Sequence, residues 1–276
     1  LVDLDPQAHA TIGLGHNPDA LDRTAYDAVT DPNTNLSDIL VETQLDGLTL
    51  APGSIMLAGA ELVLSQRSGK ERVVAEQLQS VNERFDICVM DCAPSFGILT
   101  IGALVTCTDV VVPVQAQYYS LEGLRRVFET VRLIRNRSQS RSAERVHILL
   151  TLVERSTILS KQIQLQVREI FGPLVFDTVI HNNVRLCEAP SAGESVLTYA
   201  PQSRGAAEYR ALAAEILGGV ACVEPGRRRS PRRGIQKNIS TLFEGVWSSD
   251  GNEPDHRNES PDACQAARNE VLISTT

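Results

Sequence analysis

The stretch LVDLDPQ, residues 1–7, decides the fold of this chain. It reads as the end of a buried strand that carries two carboxylates and then meets a proline. Because side chains alternate along a strand, Asp3 and Asp5 are expected on the same side. The carboxyl ends of strands are where open α/β sheets bind ligands. Taken alone, the segment also fits a strand-end turn in which an aspartate serves as a cap.

The composition favours a single large α/β domain. The chain has 276 residues, of which 42% are hydrophobic and 22% charged, enough to bury a sizeable core. No apolar run reaches about eighteen residues, so no membrane span is expected. The six scattered cysteines are typical of core hydrophobes in a reducing cytoplasm, not of a zinc site. The net charge of −8 means that nucleic acid could bind only through a local basic patch.

Apolar runs of strand length alternate with helix-like stretches, which predicts a doubly wound, mostly parallel α/β sheet. The strand-like runs are 48–50, 87–90, 110–114, 147–151 and 196–198. The helix-like stretches are 59–82, 121–134, 159–171 and 205–217. Right-handed crossovers would then place the carboxyl ends of the strands along one edge.

The chain changes character after residue 222. We predict a folded α/β domain over 1–222 and a disordered tail over 223–276, because hydrophobic periodicity is lost after residue 222. The arginine cluster at 227–233 could supplement non-specific DNA binding. It could equally be a functionless extension or an out-of-frame read-through. We expect removal of 223–276 to leave the thermal transition of the core nearly unchanged.

Two further segments carry chemistry. Residues 85–95, FDICVMDCAPS, form an apolar strand that ends in Asp91, the Walker B pattern in which an aspartate holds Mg²⁺ beside nucleotide phosphates. Many α/β strands end in an aspartate, so this signal is weak by itself. Residues 112–124, VPVQAQYYSLEGL, read as a strand, a polar loop and a helix, which ordinary packing also explains.

In combination these motifs are far more specific. The chain resembles the ParA branch of the ParA/MinD partition ATPases, which are P-loop proteins with a deviant Walker motif. The resemblance covers residues 1 to about 219. Five stretches match in order: DLDPQ at 3–7, DCAPS at 91–95, VPVQAQYYSLEGL at 112–124, NVRLCEAPS at 183–191 and SRGAAEY at 203–209.

The resemblance implies roles for five residues. Asp5 matches the aspartate that orients or activates the hydrolytic water, and Asp3 supports the same catalytic corner. Asp91 matches the Walker B aspartate at Mg²⁺. Arg185 and Arg204 match basic positions that contact the DNA backbone, a role that suits the bidentate geometry of arginine. Taken alone, each arginine is more typical of a surface or intrachain ion pair.

The resemblance also implies a P-loop NTPase-like cycle. Members bind ATP and Mg²⁺ and close into a homodimer that binds DNA without sequence preference. A ParB-like, centromere-binding partner stimulates hydrolysis. The expected process is chromosome or plasmid partitioning, in the cytoplasm and on the nucleoid, with no membrane association.

The sequence departs from the family pattern at its start. No KGGVGKT-type loop precedes Leu1, and the first strand and helix that flank this loop are also missing. The loop supplies backbone N–H groups, a lysine and a threonine to the phosphates and Mg²⁺, so the cofactor-binding residues stay unknown. We expect the chain as written to be a fragment that neither binds ATP nor folds well, with exposed edges in mid-sheet. Smaller departures are Ala93 and the stretch 152–157.

Three rival interpretations stay open. A degenerate, non-catalytic relative would act as a partner-binding protein. A MinD-like relative would act at a membrane, although residues 223–276 lack the sustained apolar face of an amphipathic anchor helix. An iron–sulfur electron carrier would need paired cluster cysteines at a dimer interface. Cys92 is the only cysteine that suggests it.

Overall fold

The computed structural model describes residues 1–116, 120–137, 143–220 and 271–275. The chain divides into two compact units. The first comprises Leu1–Ala214 with Arg268–Thr276 and contains the sheet and both candidate sites. Of the second, Glu215–Ala267, the described part is the end of a helix.

A six-stranded sheet with helices around it forms the first unit, and the predicted α/β class is confirmed. In chain order the strands are β1 Val2–Asp3, β2 Val41–Glu42, β3 Thr49–Leu50, β4 Cys88–Cys92, β5 Asp109–Gln115, β6 Arg145–Val153, β7 Val175–His181 and β8 Val271–Thr275. The main sheet has the order β1-β4-β8-β5-β6-β7, and β2 and β3 form a separate pair. Every described pairing in the main sheet is parallel except the two made by β8.

Ten helices are described, and they cover the sheet. They are α1 His9–Gly13, α2 Ala25–Thr30, α3 Leu57–Leu64, α4 Val73–Gln79, α5 Ile98–Thr106, α6 Ser120–Arg137, α7 Ile158–Phe171, α8 Val184–Ser191, α9 Val196–Tyr199 and α10 Arg204–Val220. In the described ranges, none is both long and apolar enough to cross a bilayer.

The apolar runs form the core because helices cover both faces of the central strands. Val110, Val111 and Val112 are consecutive in β5, and all three are buried. Residues 148–150 of β6 are buried in the same way. A strand whose residues are all apolar has no polar face that could contact water. The sequence pattern therefore correctly indicated internal strands.

Two predicted elements differ in the structure. Residues 59–82 are not one helix, because α3 and α4 are separated by a turn in which Gly69 has a left-handed φ of 71°. Residues 196–198 form helix α9 instead of a strand, since the Ser195 side chain accepts a hydrogen bond from the Leu197 N–H and caps a helical turn. Strand β7 was not predicted. The run 48–50 lies in the β2–β3 pair, with one bridge from Val2 to Ala51.

The centre of the sheet is completed by the end of the chain. Strand β8 pairs antiparallel with β4 on one side and β5 on the other. It satisfies the backbone groups of two strands that would otherwise present open edges. Most of the predicted tail, residues 221–270, lies outside the described residues. The structure differs from that prediction at Val271–Thr275, which belong to the sheet.

We therefore expect removal of 271–276 to lower the thermal transition, contrary to the expectation for a detached tail. Ile273 lies opposite Met90 and Val110, so Ile273→Pro should have a similar effect by removing a backbone donor and straining the strand. The cost is about 3 kcal/mol, or on the order of 6–12 °C for a domain of this size. Calorimetry would measure it. Ile273→Val serves as the control, and an unchanged transition in the proline variant would contradict this strand placement.

An ion pair joins the amino ends of β5 and β6. Arg145 contacts Asp109 through Nε–Oδ1 and Nη2–Oδ2, both at 2.6 Å, and the Thr108 hydroxyl donates to Oδ2 at 2.8 Å. Burial acts to raise the pKa of Asp109, but hydrogen bonds from His147, Arg145 and Thr108 outweigh it. Together they lower the pKa of Asp109 from 3.8 to about 2.

This lowered pKa predicts an acid-dependent loss of stability. A depressed carboxylate pKa stabilises the fold at every pH above the unfolded value, and the contribution disappears as the pH falls from about 4 towards 2. Asp109→Asn should cost about 2 kcal/mol at neutral pH and flatten this part of the profile. Urea unfolding at several pH values would measure both effects. The exposed Asp46 provides the control Asp46→Asn, and equal profiles for the two variants would contradict the assignment.

Candidate functional site: a corner of buried carboxylates

The pairing of β1 with β4 brings the predicted carboxylates together. The strands run parallel in the register Val2 to Met90 and Asp3 to Asp91, and the Leu4 N–H donates to the Asp91 carbonyl at 2.8 Å. Register partners in adjacent strands share a face, so Asp3 and Asp91 are neighbours. Asp5 follows two residues after Asp3. All three side chains are buried, with exposures of 0%, 4% and 4%.

Asp3 is an internal anchor of this corner. Its Oδ2 accepts hydrogen bonds from the Thr11 N–H at 2.9 Å and the Thr11 hydroxyl at 2.6 Å, and its Oδ1 accepts from the Asp5 N–H at 3.2 Å. The Gly53 N–H in turn donates to the Thr11 hydroxyl oxygen at 2.9 Å. Burial raises the pKa of Asp3 despite these hydrogen bonds. Asp3 therefore holds α1 and the segment around Gly53 against β1.

Asp5 has one oxygen occupied and one available. Its Oδ1 accepts from the Gln7 N–H at 2.8 Å, and its carbonyl accepts from the Ala8 N–H at 2.9 Å. Within the described residues, Oδ2 accepts no hydrogen bond. Ala8 has a left-handed backbone with φ 51° and ψ 34°, which costs on the order of 1 kcal/mol in a residue with a Cβ. The chain thus turns tightly at Ala8, three residues after the carboxylate.

Asp91 ends the apolar run of β4 and concentrates negative charge with its neighbours. Burial raises the pKa of the adjacent Cys92 thiol well above its usual value, and the charges of Asp91, Asp3 and Asp5 add to that effect. Cys92 is completely buried and belongs to the core.

The oxygen donors of the corner fit Mg²⁺. This ion usually takes one or two protein carboxylates and completes its octahedron with phosphate oxygens and water. In the part of the chain that the structure describes, no group of three or more His, Cys, Asp or Glu side chains could hold a metal ion by itself. Asp91, the residue predicted to hold Mg²⁺, lies in this corner at the end of β4.

The loop after β4 is fixed by a residue that the sequence did not point to. Glu61 of α3 accepts a hydrogen bond from the Ile98 N–H at the start of α5, at 2.7 Å. A Cβ at Gly97 would lie 2.7 Å from the same Glu61 oxygen, so the glycine permits this contact. The interaction spans 37 residues of sequence, and no local pattern reveals it.

A cleft of about 640 Å³ borders the Asp5 corner. Residues 6–8 form one wall, and residues 190–193 at the end of α8 form another. Gly15 and Gly193 allow the two sides to meet, because a Cβ on Gly15 would lie 2.9 Å from the Gly193 carbonyl oxygen. Both glycines also have positive φ, 83° and 66°. The cleft is large enough for part of a nucleotide-sized ligand. It begins at Pro6, the residue after Asp5, and the three carboxylates themselves do not line it.

The two predicted DNA-contacting arginines lie on helices α8 and α10, and each is ion-paired within its own helix. Arg185 Nη1 contacts Glu188 Oε2 at 2.7 Å. Arg204 Nε contacts Glu208 Oε1 at 2.6 Å. Their side chains are 57% and 37% exposed. The structure thus brings Asp3, Asp5 and Asp91 into one corner and assigns the arginines to a second surface.

Open α/β sheets bind their ligands at the carboxyl ends of their strands, which is where these carboxylates lie. The family model described as "AAA domain" matches residues 1–144. The sporulation initiation inhibitor protein Soj of Bacillus subtilis is 40% identical over 216 residues, covering 78% of this chain and 85% of Soj. The chromosome partitioning protein ParA of Myxococcus xanthus is 33% identical, covering 83% and 80%. The chain belongs to the ParA/MinD-type partition ATPases.

Solved structures agree with the fold. Cobyrinic acid a,c-diamide synthase from Mycobacterium smegmatis, with bound ATP analog and magnesium, has a TM-score of 0.67 and 30% identity, covering 82% of this chain and 83% of that one. The Cyanothece McdA(D38A)–ATP complex has a TM-score of 0.68 at 18% identity, covering 78% and 83%, and shows the fold alone.

The anchoring role of Asp3 makes Gly53 a sensitive position. A Cβ there would lie 2.8 Å from Asp3 Cγ and 2.9 Å from the Asp3 carbonyl oxygen, and neither can move without shifting β1. Gly53→Ala should therefore destabilise the fold by roughly 1–3 kcal/mol, as measured by urea unfolding.

Gly59→Ala is the matched control. Gly59 lies in α3, and in the described structure its new Cβ would meet no atom within 4 Å. This change should stabilise the helix by up to about 1 kcal/mol. Two alanine variants of equal stability would contradict the proposed close packing of Gly53 on Asp3.

Proposed function

We propose that the protein is an ATP-driven switch of chromosome or plasmid partitioning. In this proposal the protein, expressed from its natural start codon, binds Mg²⁺ and ATP at the carboxylate corner, closes into a homodimer and binds DNA without sequence preference. A ParB-like partner then stimulates hydrolysis and resets the switch. The protein would act in the cytoplasm, on the nucleoid. The observation that supports this most strongly is the Asp3–Asp91 register, because it pairs the strand that leads to Asp5 with the strand that carries Asp91.

Asp91 and Asp5 would divide the chemistry between them. Bound Mg²⁺ would supply positive charge to the phosphates. Asp91, at the end of β4, has the oxygen ligands and position to hold that ion. Asp5 is held through Oδ1 by the Gln7 N–H, so its Oδ2 can accept a hydrogen bond from the attacking water. Positioning of this water in line with the leaving group is the main task of the protein in phosphoryl transfer.

DNA binding by this acidic protein requires a local basic surface. The chain carries a net charge of −8, so its overall field opposes DNA and contact must come from a patch. Arg185 and Arg204 are partly exposed and project from neighbouring helices. Phosphate contacts made by such residues position a protein on DNA without reading its sequence.

Asp5→Ala tests the catalytic assignment. If Asp5 only orients water, ATP affinity should change by less than about twofold, whereas the rate of hydrolysis should fall by roughly 10²–10⁴-fold. Nucleotide titration and phosphate release, both with Mg²⁺, would measure the two quantities. Asp22→Ala, at an exposed position nearby in sequence, is the control. Parallel loss of binding and hydrolysis would contradict the role of Asp5. Failure of the unaltered protein to bind Mg²⁺·ATP would favour a non-catalytic, partner-binding relative.

Arg185→Glu tests the DNA surface. It should weaken binding to every duplex sequence alike and reduce the slope of log affinity against log salt by about 0.9 per lost phosphate contact. Fluorescence anisotropy with two unrelated duplexes, in the presence of Mg²⁺·ATP, would measure both. Arg67→Glu makes the same charge change at an exposed ion pair near α4 and controls for net charge. Equal salt slopes in the two variants would remove Arg185 from the contact surface.

A further inference from the structure

Glu208 is the most constrained acidic side chain near the two arginines. Its Oε2 accepts a hydrogen bond from the His181 backbone N–H at 2.9 Å. Its Oε1 contacts the His181 ring Nδ1 at 2.8 Å and the Arg204 Nε at 2.6 Å. The side chain is 15% exposed. Burial acts to raise the pKa of Glu208, but the hydrogen bonds from His181 and Arg204 lower it, so the carboxylate stays charged.

The Glu208 carboxylate holds Arg204 through the guanidinium Nε. The contact uses Nε, one of the five N–H donors of a guanidinium. In the described part of the chain, the two terminal nitrogens of Arg204 make no hydrogen bond. Those terminal groups supply the paired donors that grip a phosphate. A guanidinium fixed through Nε therefore keeps its phosphate-binding edge available and loses less side-chain freedom when DNA arrives.

Arg185 is held differently. Its terminal Nη1, not its Nε, contacts Glu188, and the two side chains are 57% and 39% exposed. Exposed pairs of this kind contribute about 0–1 kcal/mol. A phosphate can replace Glu188 at little cost, so this carboxylate competes with DNA for Arg185.

Close packing brings together the two helices that carry these arginines. A Cβ at Gly205 would lie 2.8 Å from the Leu186 Cγ, so the start of α10 rests directly on α8. Arg204 and Arg185 each precede one member of this contact pair in sequence. The surface thus holds one arginine that is fixed by a buried carboxylate and one that is loosely paired.

We propose that Glu208, itself held by His181, is a positioning residue that presents Arg204 to the DNA phosphates. The inference rests on the proposed DNA-binding function and deepens it. The predicted change in DNA affinity on removal of Glu208 is opposite to the one expected from charge alone. Removal of a negative charge near DNA should strengthen binding by simple electrostatics, whereas loss of a positioning carboxylate should weaken it.

A double-mutant cycle on the full protein tests the proposal. The affinity for a non-specific duplex is measured with Mg²⁺·ATP for Glu208→Ala, Arg204→Ala and the double variant. We expect Arg204→Ala to weaken binding about tenfold, Glu208→Ala to weaken it about threefold, and the double variant to match Arg204→Ala alone. Glu208→Ala should keep its threefold effect in an Arg185→Ala background.

Two further variants separate positioning from misfolding and from charge. Glu208→Gln retains an acceptor for the His181 N–H and should recover part of the lost affinity, with an unchanged thermal transition. Glu188→Ala removes the competing carboxylate and should leave affinity unchanged or increase it by roughly twofold.

The possible failures are distinguishable. Tighter binding by Glu208→Ala, or the same threefold loss in the Arg204→Ala background, would overturn the positioning role while leaving the DNA contact intact. Unaltered binding by Arg204→Ala would overturn both this inference and the proposed role of Arg204 in DNA binding.

Discussion

The structure depends above all on the parallel register that sets Asp3 beside Asp91. A shift of β1 by one residue would turn its carboxylates to the opposite face of the sheet and its apolar side chains away from the core. The register is secured by the Leu4 N–H, which donates to the Asp91 carbonyl, and by the hydrogen bonds of Asp3 to Thr11. The site is therefore a consequence of strand pairing, and the loops refine it.

Burial of neighbouring carboxylates costs free energy, and this cost bears on the function of the corner. Ionised groups lose hydration when they are buried, and like charges oppose one another. Asp3 meets the cost through internal hydrogen bonds, while its pKa is still raised by burial. Asp5 and Asp91 lie at the carboxyl edge of the sheet, and under the proposed function a divalent cation held there would relieve their repulsion.

The sequence predicted the parts of this account that depend on short-range patterns. Apolar runs identified the inner strands, and an aspartate at a strand end identified Asp3, Asp5 and Asp91. The pattern could not show that Thr11 and Gly53 complete the anchor, or that Glu208 holds Arg204 against His181, because these partners are brought together only by packing. Residues 196–198 became a helix through the cap at Ser195. Strand β8 pairs with two distant strands, which no local propensity reveals.

The most direct test of the account is the Mg²⁺ dependence of ATP binding. It would be measured by titration calorimetry on the protein expressed from its natural start codon, and on its Asp91→Asn variant. The carboxylate corner predicts that Mg²⁺ tightens ATP binding at least about tenfold in the unaltered protein, since a charged ligand group contributes 1.4 kcal/mol or more. It also predicts that Asp91→Asn removes this gain. Equal Mg²⁺ dependence in both proteins, or ATP binding that ignores Mg²⁺, would contradict the assignment of this corner as the nucleotide–metal site.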